Sequence, residues 1–393
     1  MIMYTINSKT LSNALDRCVT VKDGYTITFT GRKVGNTKDV YAHISACTAH
    51  AISTICIDVT PSEEVGPTKV LVGPDFFDAV KAIAAVGSDI ELELQQDIVL
   101  LSCGDAQIPV KLKTQVTNFT PKSPKHEEHA LFTIDSKEWK RMIQQGGFAY
   151  GSFDEKGKQA AFNNIYLRPF ENCVRICTFS GFYATSSSAD IKEKVNEKYI
   201  DMVQASQGIS LTPNIVKMIT NELKNDTITV YIFDTQLLIK DGNDFFAMVL
   251  SNTNSMEKIF DILDEEGYSY CFKATTTDIK VAINIVSVNC SDLNHASMCL
   301  EINNNNVFVH SADNRNKASI KSEHVEGNVS IQISIKQLKE IISTGMSSEV
   351  DSVTIFGFAI GEGNHIPAIH INGGHCMAFT APIATPTSDA DTE

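Results

Sequence analysis

Hydrophobic residues recur along this chain either at helical spacing or with the period of two that is typical of strands. Segments of these two kinds follow one another in the same order three times. Residues 76–86 have apolar positions at helical spacing, residues 90–94 alternate with period two, and a polar turn precedes a second apolar run at 98–102. The same order recurs at 215–223, 227–233 and 236–239, and at 335–343, 353–356 and 366–371. Recurrence at intervals of roughly 120–140 residues predicts three copies of one structural module.

Each copy also has an earlier amphipathic helix that follows a short strand. These predicted pairs are 8–18 after 3–6, 136–147 after 130–134, and 276–288 after 269–274. Strand alternation lies between the two helices of each copy, at 40–44, 55–59, 164–167, 174–178, 298–302 and 307–311. We therefore expect an α+β fold, in which antiparallel sheets are covered on one side by a pair of helices.

Single residues predict where some of the helices begin and end. Ser334 can cap the N-terminus of the last helix with its hydroxyl group. Gly87 and Gly345 follow helical segments at positions where a left-handed glycine commonly ends a helix.

Changes in composition predict the boundaries between the copies. Residues 121–129 are polar and contain two prolines, and residues 261–267 are rich in acidic side chains. We expect three domains at 1–122, 129–254 and 267–384. The polar, acidic residues 385–393 are expected to form a disordered tail.

The composition is that of a globular protein without membrane segments. Hydrophobic residues make up 43% of the chain and its formal net charge is −14. No apolar run approaches the ~18 residues that span a bilayer, and the N-terminus lacks the pattern of a signal peptide. We expect a cytoplasmic protein. Its ten cysteines are scattered without a Cys-x-x-Cys pair, which favours reduced thiols.

The net charge of −14 argues against electrostatic binding to nucleic acid, but the charge is distributed unevenly along the chain. The six predicted helices, counted as 8–18, 75–86, 136–147, 213–224, 276–288 and 335–344, contain 11 basic and 7 acidic residues. The remaining segments contain 22 basic and 40 acidic residues. A surface built from these helices would attract phosphates without reading sequence, while the rest of the molecule would repel them.

The basic residues of the helices fall mainly opposite the apolar stripes on helical wheels, where an ordinary amphipathic helix also places lysines. The predicted DNA-contacting residues on the helices are Lys9, Arg17, Lys137, Lys140, Arg141, Lys217, Lys224, Lys280, Lys336 and Lys339. The second helix, with Asp75, Asp78 and Lys81, is the one exception to the basic trend.

No motif in the sequence predicts an enzyme. There is no Walker-type phosphate loop, no nucleophile elbow, and no cofactor fingerprint. His126 and His129 lie in the polar linker without the spacing of a zinc-protease motif, and we predict neither a metal nor a cofactor.

Short sequence matches in a fixed order identify a family resemblance that covers roughly residues 1–383. The segments 163–167 and 174–184, NNIYL and VRICTFSGFYA, resemble the "LNG-x-L … LR-x-VATDGHRLA" stretch of the bacterial DNA polymerase III beta subunit, the sliding clamp. Residues 256–263 resemble the segment entering that family's third domain, and 377–383 resemble its terminal "YVVMPMRL". The chain looks like a divergent member, such as a phage- or plasmid-encoded clamp.

The resemblance implies a head-to-tail homodimer of three-domain chains that closes into a ring around duplex DNA. Such a clamp is a non-catalytic processivity factor that tethers a DNA polymerase and is opened by a separate clamp loader. Open sheet edges would be removed by ring closure. The loop at 151–158 resembles a DNA-contacting loop of the family, which adds Lys156 and Lys158 to the predicted DNA-binding residues, although a solvated loop is an equal alternative.

The resemblance also implies a pocket for partner peptides and an interface between chains. The residues matching the pocket are Phe162, Phe179, Gly181, Phe182, Ala184, Phe379, Pro382 and Ile383. Phe182 to Ala184 replace the family's His-Arg-Leu, so we expect an altered peptide preference. The residues matching the dimer interface are Ile108, Val110 and Val288.

A different class of function stays open on sequence grounds. A β-rich structural or assembly protein, such as a virion component, could use the same repeats for oligomerisation alone. The basic helices favour the clamp, because an assembly protein has no need of a phosphate-attracting surface.

Overall fold

The structure is a computed structural model of the 393-residue chain. It describes residues 2–18, 24–34, 37–48, 50–61, 68–113, 130–150, 164–181, 183–193, 209–233, 235–250, 260, 262–264, 267–288, 290, 292–293, 296–303, 305–346, 350–358 and 368–383. Among the predicted sites, Lys156, Lys158, Phe162 and Phe182 lie outside these residues, as does the acidic tail.

Within the described residues, six α-helices occur where the apolar periodicity predicts them. They are α1 Ser8–Arg17, α2 Pro74–Ala84, α3 Ser136–Gly146, α4 Pro213–Glu222, α5 Thr276–Val286 and α6 Ile335–Glu340. Side-chain oxygens cap three of these helices: Asn7 accepts from the Thr10 amide, Thr275 from Asp278 and Ser334 from Gln337. The predicted cap at Ser334 is therefore confirmed.

The helix ends differ from the prediction at the two glycines. Neither Gly87 nor Gly345 has a positive φ, so the expected left-handed caps are wrong. Helix α2 ends at Ala84, and its C-cap residue, Ala85, stays in the right-handed region. Helix α6 continues into a π-helical turn at Ile341–Gly345, where the Met346 amide donates to the carbonyl of Ile341 and satisfies a terminal acceptor without a left-handed residue.

Twenty-five strands account for most of the remaining described chain. They are β1 Ile2–Asn7, β2 Tyr25–Val34, β3 Thr37–Cys47, β4 Ala51–Pro61, β5 Thr68–Val72, β6 Asp89–Leu94, β7 Ile98–Cys103, β8 Ala106–Lys111, β9 Ala130–Asp135, β10 Ile165–Pro169, β11 Cys173–Phe179, β12 Tyr183–Asp190, β13 Ile209–Leu211, β14 Thr227–Phe233, β15 Gln236–Asp241, β16 Asp244–Val249, β17 Tyr270–Thr275, β18 Ser297–Asn303, β19 Asn306–Ser311, β20 Lys317–Ile320, β21 Ser322–Glu326, β22 Val329–Ser334, β23 Ser352–Gly357, β24 Ile369–Asn372 and β25 Cys376–Thr380.

The strand pairing repeats three times, as the sequence pattern indicates. The first strand of each copy pairs antiparallel with the strand that follows the second helix, as β1 with β6, β9 with β14 and β17 with β23. Two further antiparallel strands extend each array, giving β1-β6-β7-β8, β9-β14-β15-β16 and β17-β23-β24-β25. The last strand of each array is therefore the equivalent edge in all three copies.

The chain forms two compact units. The first contains residues 1–136 and 214–250, and the second contains 137–213 and 251–393. This partition divides the middle predicted domain because strands from different copies pair within each unit. The three-domain boundaries themselves remain a prediction.

In the first unit a single sheet path joins two copies. Strand β16 pairs antiparallel with β4, with Ala247 opposite Ile52, and the path runs β8-β7-β6-β1-β4-β16-β15-β14-β9. The inner faces of α1 and α2 are buried, with Leu11, Leu15 and Phe76 among the least exposed side chains.

In the second unit the equivalent edge strand forms the equivalent junction. Strand β25 pairs antiparallel with β12, with Phe379 opposite Ala184. A core built from α5, α6 and their sheets includes Phe272, Ile283 and Leu338. Strands β20-β19-β18-β22 form a separate four-stranded sheet in this unit.

Candidate nucleic-acid interface and partner pocket

Five of the predicted DNA-contacting lysines lie on exposed faces at the helices. They are Lys9, Lys137, Lys224, Lys336 and Lys339, and none forms a salt bridge with a residue that the structure describes. The acidic residues of the same helices are largely engaged. Glu138 pairs with Arg141, and Glu340 accepts from the hydroxyl of Tyr183 at 2.7 Å.

Arg17 does not lie on the solvent face where the helical wheel placed it. Its side chain is buried, donates to the Asp244 carboxylate at 2.6 Å and donates to the backbone carbonyl of Glu222 at 2.8 and 3.2 Å. The helical wheel failed because the wheel cannot show that the β15–β16 hairpin of the next copy covers this side of α1.

Arg141 is also engaged inside its unit rather than free for phosphate. Its guanidinium donates to Glu138, to Gln145 at 2.7 Å, and to the hydroxyl of Ser187 and the backbone carbonyl of Ser188 on β12. Only 13% of the side chain is exposed. We therefore correct its placement from the solvent face to the contact between α3 and β12.

Three other predicted lysines are intermediate in exposure. Lys140, Lys217 and Lys280 lie on the flanks of α3, α4 and α5. They can reach solvent with their ammonium groups while their stems pack on the helix, as long side chains do.

The second unit brings several of the predicted pocket residues together. Phe179, at the end of β11, lies 6.0 Å from Phe379 between ring centroids. Both contribute to a cluster around Tyr166, Phe260 and Leu263. Ala184 and Phe379 are buried and face each other across the junction of β12 and β25, and their role in lining a pocket stays a prediction.

The exposed part of the predicted pocket lies around the turn that precedes β12 and the segment after β25. Gly181 has φ +93°, a conformation that side chains disfavour. Ile383 is 38% exposed, and its amide donates to the carbonyl of Gln332 at 2.9 Å. Pro382 lies beside it with intermediate exposure. An apolar rim thus follows the end of the junction strand.

The sequence missed Arg175 and Phe260 as members of this region. The Arg175 guanidinium lies over the Phe260 ring at 5.5 Å, donates to the Ser186 hydroxyl at 2.6 Å and pairs with Asp264 at 2.5 Å. An arginine within an apolar strand run was the available signal, since such a residue needs partners when it is buried.

The three predicted interface residues differ in exposure. Val288 is 54% exposed and Ile108 is intermediate. Val110 is 3% exposed and belongs to the buried core, and its contact with a second chain stays a prediction. The sequence missed Val281 and Ile285, which are 53% and 42% exposed on the same face of α5 at i, i+4 spacing.

Several buried groups have shifted pKa values without an arrangement for catalysis. Burial raises the pKa of the Cys18, Cys177 and Cys376 thiols to about 12, so they stay protonated near neutral pH. Burial and then the hydrogen bond to Glu340 raise the pKa of Tyr183. Within the described ranges, no group of three or more His, Cys, Asp or Glu residues could hold a metal ion, and no helix there is long and apolar enough to cross a membrane.

The fold is similar over the whole chain to solved bacterial clamp structures. The DNA polymerase sliding clamp from Bacillus subtilis aligns with a TM-score of 0.77 at 14% identity, covering 98% of this chain and 99% of that chain. The DNA polymerase sliding clamp from Pseudomonas aeruginosa aligns with a TM-score of 0.76 at 10% identity, covering 98% and 100%. A putative DNA polymerase III beta subunit from Eubacterium rectale gives 0.76 at 12% identity, covering 98% and 99%.

No protein-family model matches the sequence, and no curated protein matches it either. The similarity is one of structure at low sequence identity. This chain therefore has the sliding-clamp fold, and the fold predicted from the repeats and the resemblance is confirmed.

Proposed function

We propose that this protein is a DNA sliding clamp, a non-catalytic processivity factor that encircles duplex DNA and tethers a polymerase. The observation that carries the proposal is the fold similarity to DNA polymerase sliding clamps over 98% of the chain. A protein held on DNA by topology needs only weak, sequence-independent attraction, because tight phosphate contacts would stop it from sliding. It would act in the compartment that holds the DNA, next to the nucleoid.

The exposed lysines supply that attraction. Lys9 and Lys224 are exposed in the first unit, and Lys137, Lys336 and Lys339 are exposed in the second. Point charges on exposed lysines contact phosphates without fixing a register. Lys140, Lys217 and Lys280 can add to this surface, as can Lys156 and Lys158, while Arg17 and Arg141 stabilise the protein itself.

The repeat also indicates how two chains would join. The last strand of the second array, β16, pairs with β4 of the first copy, and the last strand of the third array, β25, pairs with β12 of the second copy. The last strand of the first array, β8, pairs only with β7 among the described strands, and β20, the counterpart of β4 and β12, pairs only with β19. Two chains can pair β8 with β20 reciprocally, which closes a head-to-tail homodimer.

Side chains beside these two edges support the same contact. Val288, at the end of α5, accepts a 2.8 Å hydrogen bond at its carbonyl from Asn316, which directly precedes β20. Together with Val281 and Ile285 it forms an exposed apolar strip, and Ile108 lies on β8. Burying such a strip favours association.

The apolar rim formed by Gly181, Pro382 and Ile383 is the proposed docking site for short peptides of a polymerase and of a clamp loader. Phe162 and Phe182 would complete it. Phe179, Ala184 and Phe379 support it from the buried side, so the peptide would bind at a strand junction whose backbone is fixed by pairing.

Electron microscopy of the full-length protein with negative stain tests the architecture. The expected class averages show a ring with a central hole and six lobes. Compact particles without a hole, at concentrations where the protein is dimeric, would contradict the clamp and favour the assembly protein.

Binding to a short duplex tests the basic surface. Substituting Lys9, Lys137, Lys224, Lys336 and Lys339 by glutamine should weaken binding. The slope of log K against log salt should become less negative by about 0.9 for each phosphate that is no longer neutralised. A matched variant has five lysines outside the helices replaced by glutamine: Lys69, Lys113, Lys192, Lys240 and Lys321. Equally weakened binding in the two variants would contradict a DNA-facing role for the helices.

A further inference from the structure

The edge of β8 differs from the equivalent edges within the chain by one backbone donor. Strands β7 and β8 are joined by a two-residue turn at Gly104 and Asp105, with Cys103 opposite Ala106. In such a hairpin the residues flanking the turn form a hydrogen-bonded pair, and the direction of the backbone groups then alternates along the strand. Residues 106, 108 and 110 therefore point toward β7, and residues 107, 109 and 111 point away from it.

Hydrogen bonds just beyond β8 confirm this alternation. The Leu112 amide donates to Asp97, on the side of β7, at 2.8 Å. The next amide, that of Lys113, donates in the opposite direction to Leu71 on β5 at 2.9 Å. Odd-numbered residues of this strand thus direct their backbone groups to the open edge.

Residue 109, in the middle of that edge, is proline. Proline has no backbone N–H group, so the open edge of β8 offers amides at Gln107 and Lys111 but none between them. All three side chains are exposed. Proline on an edge strand is a recognised way to discourage pairing.

The two equivalent junctions inside the chain have an amide at this position. Counting from the hairpin turns, Pro109 matches Ala247 on β16 and Phe379 on β25. Ala247 faces Ile52 of β4, and Phe379 faces Ala184 of β12, in uninterrupted antiparallel registers. The chain therefore omits this donor only at the junction that would form between two molecules.

We propose that Pro109 weakens the β8–β20 junction between chains by removing one backbone hydrogen bond that the equivalent junctions within each chain retain. The inference rests on the proposed head-to-tail dimer. It gives the ring two kinds of junction: continuous ones between copies of the same chain, and an interrupted one between chains.

Replacing the proline by a residue with an amide tests the proposal. The variant Pro109→Val restores the donor on a strand where valine is favourable. One added hydrogen bond tightens an interface by roughly fivefold. Since dissociation of a closed dimer breaks two such interfaces, the dimer dissociation constant should fall by roughly 25-fold. Mass photometry or sedimentation equilibrium of the full-length protein measures this constant.

The matched control is Gln107→Val. It places the same side chain on the same exposed face of β8 but leaves the number of backbone donors unchanged, so its dissociation constant should stay that of the unmodified protein. A second variant, Pro109→Ala, restores the amide with a minimal side chain and should tighten the dimer in the same direction as Pro109→Val.

Three outcomes would overturn the proposal and are distinguishable. If Gln107→Val tightens the dimer as much as Pro109→Val, an apolar side chain and not the amide is responsible. If both Pro109 variants dimerise with an unchanged constant, the β8 edge is not an interface. If all four proteins stay monomeric at micromolar concentration, the proposed ring itself is wrong.

Discussion

Each of the two compact units contains one junction between copies of the module, and a buried arginine lies at each junction. The carboxylates that pair with the two arginines differ in their exposure to solvent. In the first unit Arg17 of α1 contacts the carboxylates of Asp244 and Asp241 on the β15–β16 hairpin and lies 5.9 Å from the Phe246 ring. In the second unit Arg175 contacts Asp264 and the Phe260 ring. The arrangement is similar, but the carboxylates differ in exposure.

That difference decides how much each junction depends on its charges. Asp241 is fully buried, and its carboxylate also accepts from the amides of Lys224 and Asn225. Asp264, by contrast, is 53% exposed at its side chain and can be solvated if its partner is removed. A buried charge left without its partner is costly, whereas an exposed pair contributes little. The first junction is therefore stabilised by buried ion pairs between side chains, and the second mainly by apolar packing.

The largest expected effect comes from removing Arg17. Arg17→Met should lower the free energy of unfolding of the first unit by about 3–5 kcal/mol, because it leaves Asp244 buried without a counter-charge. Urea denaturation followed by circular dichroism measures the change. The double variant Arg17→Met, Asp244→Asn should recover part of the loss, since asparagine can still accept from the Cys56 amide. A double variant less stable than the single one would contradict this account.

The packing of the second junction is tested by Phe260→Ala. Phe260 is 1% exposed, and the guanidinium groups of Arg168 and Arg175 lie 5.7 and 5.5 Å from its ring centroid. Its removal should cost about 3 kcal/mol, within the range for truncating a buried phenylalanine. Calorimetry should place the loss in the transition of the second unit. The matched change in the first unit, Phe246→Ala, should affect the other transition instead.

A smaller effect is expected from Arg175→Ala. The Ser186 hydroxyl loses its buried partner, while Asp264 gains water, so the expected loss is about 1–2 kcal/mol. Asp264→Asn should cost less than Arg175→Ala. A loss from Arg175→Ala as large as that from Arg17→Met would show that the two junctions depend on charge to the same degree.

The smallest effect is a pH dependence confined to the first unit. Burial lowers the pKa of His43 on β3, and the nearby Asp244 carboxylate opposes this shift. Because the folded pKa lies below the unfolded value of about 6.5, the unfolded state binds a proton first. Stability should then fall as the pH drops below about 6.5 toward the folded pKa, by at most about 1.4 kcal/mol per pH unit.

The variant His43→Gln isolates this contribution. Its denaturation midpoints between pH 7.5 and pH 5.5 should decline less steeply than those of the unmodified protein. Parallel declines in the two proteins would exclude His43 as the cause.

Local patterns were sufficient for the elements and the repeat, but not for the environment of particular side chains. The alternation at 227–233 and the helical spacing at 276–288 predicted β14 and α5 within two residues, because periodicity reports which face of an element is buried. Arg17 and Arg141 were misplaced for the same reason. A helical wheel distinguishes only two faces, whereas these arginines lie on flanks that are covered by hairpins or strands distant in sequence.

Sequence patterns alone were enough to predict the three-fold module, the order of strands and helices, the basic character of the helices and, through short matches, the clamp fold. These features depend on contacts within a copy, which local periodicity encodes. The folded chain was needed to show which basic residues stay exposed, how the equivalent edges β16 and β25 are paired, and that β8 with Pro109 pairs with no strand but β7 among those that the structure describes. Those properties depend on contacts between segments that are more than a hundred residues apart in sequence, and such contacts leave no periodic signal in the sequence.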